Sequence, residues 1–153
     1  MDHSQTILAL TQDLLSRTGF GEETEVQVLY HTDDNTYEVA IATPDPGLLI
    51  GYHGDTLSAL QFILAQHLNA QLSEWLTLSV NVNDYRERRE AALKAMTDSV
   101  IAKVLETGQA QTLPPLPANE RRIIHIYLSE HPEVSTESVG EGRARSVVIS
   151  LRK

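Results

Sequence analysis

The stretch Gly47-Leu48-Leu49-Ile50-Gly51-Tyr52-His53-Gly54 starts a helix, breaks it at a Gly-x-x-Gly turn and leads straight into a second helix. Two glycines without Cβ atoms let the chain turn sharply and leave backbone N–H groups open to an approaching ligand. The helix that follows adds its unpaired N-terminal donors and the positive end of its dipole. Such a corner suits the phosphate of a nucleic acid. A plain corner between two helices has the same glycine spacing, so the flanking elements decide between the two readings.

Those elements come in a definite order. Thr6 to Thr18 places Ile7, Leu10, Leu14 and Leu15 on one helical face, with Gly19 as the stop. Val26, Val28 and Tyr30 alternate as in a strand, Asp33-Asp34-Asn35 reads as a turn, and Tyr37, Val39 and Ile41 alternate again, which predicts a hairpin. Asp45 is the expected cap of the short helix, with Pro46 in its first turn, where a missing N–H costs nothing. The second helix starts at Asp55 or Thr56, with Asp55 as a cap, and buries Leu57, Leu60, Ile63, Leu64, Leu68 and Leu72. Leu76, Leu78, Val80 and Val82 alternate as a third strand.

From Asp84, Tyr85-Arg86-Glu87-Arg88-Arg89-Glu90 opens a long helix to about Thr107, with Leu93, Met96, Val100, Val104 and Leu105 inward and Gly108 at its end. The alternating charges at its start read as a salt-bridged surface or a domain junction. Leu113-Pro114-Pro115-Leu116-Pro117 is extended, because each proline disfavours helix in the residue before it. Asn119-Glu120-Arg121-Arg122-Ile123-Ile124-His125 begins another helix, on which Arg121 and His125 share a face. Two strands follow, Val134 to Val139 and Ser146 to Leu151, joined by Gly140-Glu141-Gly142-Arg143.

Helix, strand, strand, helix, Gly-x-x-Gly, helix, strand is an order that resembles the bacterial, type II KH domain. Arg-x-x-x-His on a helix, after a proline-bearing stretch and before a hairpin, resembles the R3H domain. The two together, linked by the Tyr-Arg-Glu-Arg-Arg helix, resemble the Jag (SpoIIIJ-associated) family over nearly all 153 residues. The resemblance implies an α+β chain of two small α/β-sandwich-like domains. A type II KH domain (αββααβ) occupies residues 1–83. An R3H domain, with helices packed on a small, mostly antiparallel sheet, occupies 84–153, of which 84–107 form a connecting helix. It also implies a cytoplasmic protein without catalytic activity that binds single-stranded RNA, or single-stranded DNA as a second ligand. Further implied expectations are a homodimer or a pairing with a second small KH protein, a membrane insertase as neighbour, and a role in envelope growth, division or sporulation.

The residues expected to make contact are Gly51, Tyr52, His53 and Gly54 at the turn, and Arg121, Arg122, His125, Arg143 and Arg145 in the second half. Tyr52 offers a ring for stacking on a base or sugar, and His53 adds charge when protonated. The arginines match phosphate with paired donors, and His125 supplies one more hydrogen bond. The competing reading pairs these arginines with Glu120 and Glu141 on an ordinary solvated face.

The net charge of -9 opposes binding of a polyanion, since nucleic-acid affinity comes largely from Lys and Arg that displace counterions. The charge is uneven. Residues 1–83 hold eleven acidic residues and one basic residue, Arg17, a net of -10; residues 84–153 hold eleven basic and ten acidic residues, a net of +1. The alternative function is therefore a protein-interaction adaptor whose acidic half faces a basic partner. An enzyme is the weakest reading: the six histidines lack metal-ligand spacing, and neither a P-loop nor a dinucleotide fingerprint is present. No cofactor or metal is expected. With no cysteine there is no disulfide, and neither a signal peptide nor a membrane span is evident.

Overall fold

A computed structural model describes residues 2–153. The chain divides into two compact units, one up to Arg86 and one from Glu87 to Lys153. The first contains α1 (Ser4–Arg17), β1 (Glu25–His31), β2 (Thr36–Ala42), α2 (Pro46–Ile50), α3 (Asp55–Leu72) and β3 (Thr77–Val82). Helix α4 (Tyr85–Thr107) starts at its end and continues into the second unit. That unit adds β4 (Gln111–Thr112), α5 (Ala118–Tyr127), β5 (Val134–Val139) and β6 (Ser146–Leu151).

The first sheet has the order β1-β2-β3, with β1 antiparallel and β3 parallel to β2. Alternation sends Tyr37, Val39 and Ile41 of β2 and Leu78, Val80 and Val82 of β3 to the same side, where they are buried with Ile7 and Leu15 of α1 and Leu57, Leu64 and Leu68 of α3. Two residues of the expected stripes are not in the core. Ile63 is 53% exposed and Leu105 of α4 is 42% exposed, because each sits one helical step of about 100° beside a fully buried neighbour, Leu64 or Val104. Threonines take buried places instead: Thr11 and Thr97 are wholly buried, and each hydroxyl donates to a carbonyl four residues back, on Ile7 and Leu93, at 2.7 Å.

The chain leaves β3 through two consecutive left-handed residues, Asn83 (φ 46) and Asp84 (φ 55). Asn83 makes this possible by imitating a strand. Its backbone N–H donates to the Ile41 carbonyl, its side-chain oxygen accepts from the Thr43 N–H, and its amide donates to the Thr43 carbonyl, each at 2.9 Å. The pairing of β2 with β3 is thereby extended while the main chain turns into α4.

The second sheet is antiparallel, in the order β4-β6-β5. Strand β4 escapes a reading of the sequence because it is two residues long. The proline-bearing stretch after it continues along β6: Leu113 and Leu116, both buried, donate their N–H groups to the carbonyls of Val147 (2.9 Å) and Arg145 (3.1 Å), while Pro114 and Pro115, which have no N–H to give, face outward. Glu120 does not pair with the arginines beside it. It is 2% exposed and is gripped by the fork of Arg89, Nε to Oε1 at 2.7 Å and Nη2 to Oε2 at 3.0 Å.

Removing the Arg89 fork takes two charge-assisted hydrogen bonds from a buried carboxylate. Arg89→Met should therefore destabilise the protein by about 3 to 5 kcal/mol in denaturant unfolding followed by circular dichroism. The double variant Arg89→Met/Glu120→Gln should recover most of that loss; equal instability of the two would show that the pair itself, rather than the stranded charge, carries the effect.

Candidate nucleic-acid interface

In the first unit the turn between α2 and α3 depends on its glycines. Gly51 has φ +71, and a Cβ added there would stand 2.1 Å from the Thr56 hydroxyl oxygen and 2.9 Å from the Thr56 nitrogen. No side chain fits in that space. Gly54 has φ +80, and a Cβ there would meet the Tyr85 ring at 3.1 Å. Between them His53 adopts φ 50, another left-handed conformation, and its ring meets that of Tyr52 edge-on at 4.2 Å. Tyr52 is 80% exposed.

The expected caps differ. Asp45 precedes α2 without a side-chain cap bond, and the residue capping α3 is Gly54 itself, again with no side-chain bond. Asp55 is the first helical residue, one place too late to cap. The first turn of the 18-residue α3 thus lacks the usual Ser, Thr, Asn or Asp oxygen; its Asp55 N–H donates to the Tyr52 carbonyl, next to a Gly51 that has no room for a Cβ.

In the second unit α5 and β5 build a different surface. Arg121 and His125, one turn apart on α5, converge on Ser138 of β5. Arg121 Nη1 donates to Ser138 Oγ at 3.3 Å and Nε donates to the Leu116 carbonyl at 3.0 Å. The His125 ring lies between two hydroxyls, Nδ1 to Thr136 Oγ1 at 2.7 Å and Nε2 to Ser138 Oγ at 2.8 Å. Burial, and then the adjacent Arg121 guanidinium, push the His125 pKa below the ordinary histidine value. A neutral ring has one N–H and one lone pair. The network is satisfied when Arg121 donates to Ser138, Ser138 donates to Nε2, and Nδ1–H donates to Thr136. His125 thus holds both ring nitrogens against hydroxyls of β5. It positions Ser138 and, through it, Arg121.

The other arginines are arranged more loosely. Arg122, Arg143 and Arg145 are exposed and, among the described residues, make no ion pair; Glu141 pairs with none of them. The Arg145 carbonyl accepts from Leu116, whose own carbonyl holds Arg121, which ties the base of the β5–β6 turn to the Arg121 site. Arg143, in a 3-10 turn at Gly142–Ala144, forms no hydrogen bond with the other named residues. The sequence reading missed Thr136 and Ser138. Their spacing of two on a strand, which puts them on one face, was the available signal. Arg86, read as part of a salt-bridged surface or a domain junction, is the last residue of the first unit and lies against β3, with Nε donating to the Val80 carbonyl at 2.9 Å. Among the described residues no His, Asp and Glu cluster could hold a metal ion, and no helix is long and apolar enough to cross a membrane.

A sheet bearing a Gly-x-x-Gly helix corner, followed by a sheet bearing an Arg-x-x-x-His helix, defines a tandem of two nucleic-acid-binding folds, KH and then R3H. Residues 7–83 match the family model described as the KH domain of KhpA/KhpB, and residues 91–151 match that of the R3H domain. The chain belongs to this KhpA/KhpB (Jag) family. Relatives named RNA-binding protein KhpB are 40% identical over 111 residues in Lactiplantibacillus plantarum (72% of this chain, 34% of that protein), 33% over 129 residues in Clostridium symbiosum (84% and 58%), and 32% over 134 residues in Bacillus subtilis (86% and 60%). The chain spans between a third and three fifths of the length of these relatives.

The His125 geometry gives a pH test. Its folded pKa lies below the unfolded value, so between the two the unfolded state binds more protons and stability rises with pH. Its contribution is fully present above about pH 6.5 and is lost as pH falls through the folded pKa. Unfolding midpoints measured across that window should fall less steeply for His125→Asn than for the parent chain; parallel curves would mean that the ring is not held neutral.

Proposed function

We propose that the chain binds single-stranded RNA, with the Gly51–Gly54 turn and the first turn of α3 receiving one part of the backbone and Arg121, Arg122, Arg143 and Arg145 another. The observation that carries this reading is the corner at Gly51. A backbone packed so closely that a Cβ would collide with Thr56 leads directly into a long helix whose first turn has no side-chain cap, an arrangement that suits an anionic ligand. The relatives' printed name, RNA-binding protein, supports it from a second direction. On this reading Tyr52 and His53 face the strand, Tyr52 by stacking. The 2′-hydroxyl separates RNA from DNA as a ligand.

The same reading places the protein in the cytoplasm without catalysis, as a homodimer or with a second small KH protein, and with a membrane insertase as neighbour. The support for these is the Jag kinship. The adaptor role is the second reading. It rests on the acidity of residues 1–83 and on the exposure of Phe62, Ile63 and Trp75, at 64%, 53% and 84%.

The test is a titration of labelled short single-stranded RNA with the intact chain at about 50 and 200 mM salt. RNA binding predicts a slope of about 0.7 log units of affinity per log unit of salt for each phosphate contact. Arg121→Ala/His125→Ala should lose more affinity than Tyr52→Asp/His53→Asp, because the charge lies in the second unit and the second pair leaves both glycines in place. A folded chain that ignores RNA at the lower salt would leave the adaptor reading standing.

A further inference from the structure

Strand β3 forms an edge of the first sheet, and an edge strand normally shows solvent a row of unpaired N–H and C=O groups. At Val80 side chains fill the row. The Val80 N–H donates to Gln61 Oε1 at 2.9 Å, the Val80 carbonyl accepts from Arg86 Nε at 2.9 Å, and Arg86 Nη2 donates to the same Gln61 oxygen at 2.8 Å. Strand, glutamine and guanidinium make a closed ring of three bonds. The Gln61 oxygen is identified by the backbone N–H that it accepts.

This ring uses one side of each group. Nε and Nη2 form the side-on fork of Arg86, so among the described residues the end-on fork, made by Nη1 and the second Nη2 hydrogen, has no partner. The Gln61 oxygen is occupied and its amide hydrogens are not. What faces outward is planar, carries only donors, and is held in one orientation, so its partner supplies acceptors alone. Fixing a fork before the ligand arrives lowers the ordering cost of using it.

Charge and place point the same way. In the unit ending at Arg86 the only Lys or Arg residues are Arg17 and Arg86, and Arg17 is tied to Asp13 at 2.7 Å. Arg86 is exposed and is held by neutral groups. Its neighbour Tyr85 is the residue whose ring packs on Gly54, and Gln61 lies two helical turns, about 10 Å, along α3 from that glycine.

We propose that Arg86, aimed by Gln61 and the Val80 carbonyl, is a nucleic-acid contact of the first unit. Its end-on fork and the Gln61 amide receive paired acceptors of a bound single strand, either O6 and N7 of a guanine or two oxygens of a phosphate. The assignment rests on the RNA-binding reading above.

The experiment uses the full chain and three RNAs of equal length: one with a single guanine in an adenine run, the same RNA with 7-deazaguanine, and adenine alone. Arg86→Lys keeps the charge and loses the fork, and should weaken binding of the guanine RNA about tenfold. If guanine is the ligand, the parent chain should prefer guanine to 7-deazaguanine about tenfold and Arg86→Lys should abolish the preference. If phosphate is the ligand, all three RNAs should weaken alike in Arg86→Lys, and Arg86→Gln should reduce the salt slope by about 0.7. A measurement on the unaltered chain removes dependence on variant folding: the NMR signals of the Arg86 guanidinium should shift when RNA is added. Unmoved Arg86 signals in a chain that binds RNA, or affinities of both variants within about twofold of the parent, would overturn the Arg86 assignment alone; a parent chain that binds no RNA would overturn the RNA reading and this assignment with it.

Discussion

Thr56 packs against the α-carbon of Gly51 so closely that the space of a Cβ is already taken. That contact fixes how α2 ends and α3 begins, and α3 in turn brings Leu57, Leu64 and Leu68 onto the sheet and Gln61 to the edge of β3. The corner is both the start of the core's main helix and the place where Tyr52 stands out into solvent. Its cost in backbone freedom is borne by the packing of α3, since a helix of 18 residues with three fully buried leucines is not held by its first turn alone.

The acidity of the first unit becomes understandable in these terms. Backbone N–H groups carry no net charge, so a turn built from them can meet a polyanion while the surface around it remains negative. The long-range field still opposes approach, which gives weight to the few cations that are held in place. Arg86 is held by the strand edge and Arg121 by Leu116 and Ser138. In both cases neutral groups orient the guanidinium and leave its charge uncancelled. Arg89 shows the opposite use of the same side chain: a buried carboxylate takes its fork, and it serves the fold.

Much of this was legible in the sequence. Alternation gave the hairpin before the glycine turn and the strand at Leu76–Val82, the Gly140–Arg143 turn gave the strands Val134–Val139 and Ser146–Leu151 on either side of it, and apolar spacing gave α1, α3 and α4 to within a few residues. The errors have physical causes. Ile63 and Leu105 are apolar and adjacent to buried positions, yet a helix packed on one side has room for only one of two neighbours 100° apart. Thr11 and Thr97 are polar by type and are buried because the helix supplies their hydrogen-bond partners. Asp45 stands at the cap position of α2 without a side-chain bond, and Asp55 is displaced from the cap of α3 because Gly54 occupies that position in a left-handed conformation. The roles of Arg86 and Arg89 were beyond reach, since each depends on a partner from 6 to 31 residues away. The pattern Arg-Glu-Arg-Arg-Glu marks a charged helix face and does not say which arginine meets a strand edge and which a buried glutamate.

The central claim is that the glycine corner and the first turn of α3 take part in holding a single strand. Amide chemical-shift mapping of the intact chain with short single-stranded RNA tests it most directly. The account predicts that the amides of Gly54, Asp55 and Thr56 move together as RNA is added, and return as salt is raised. Shifts confined to α5 and the β5–β6 hairpin, with the corner silent at saturating RNA, would contradict it.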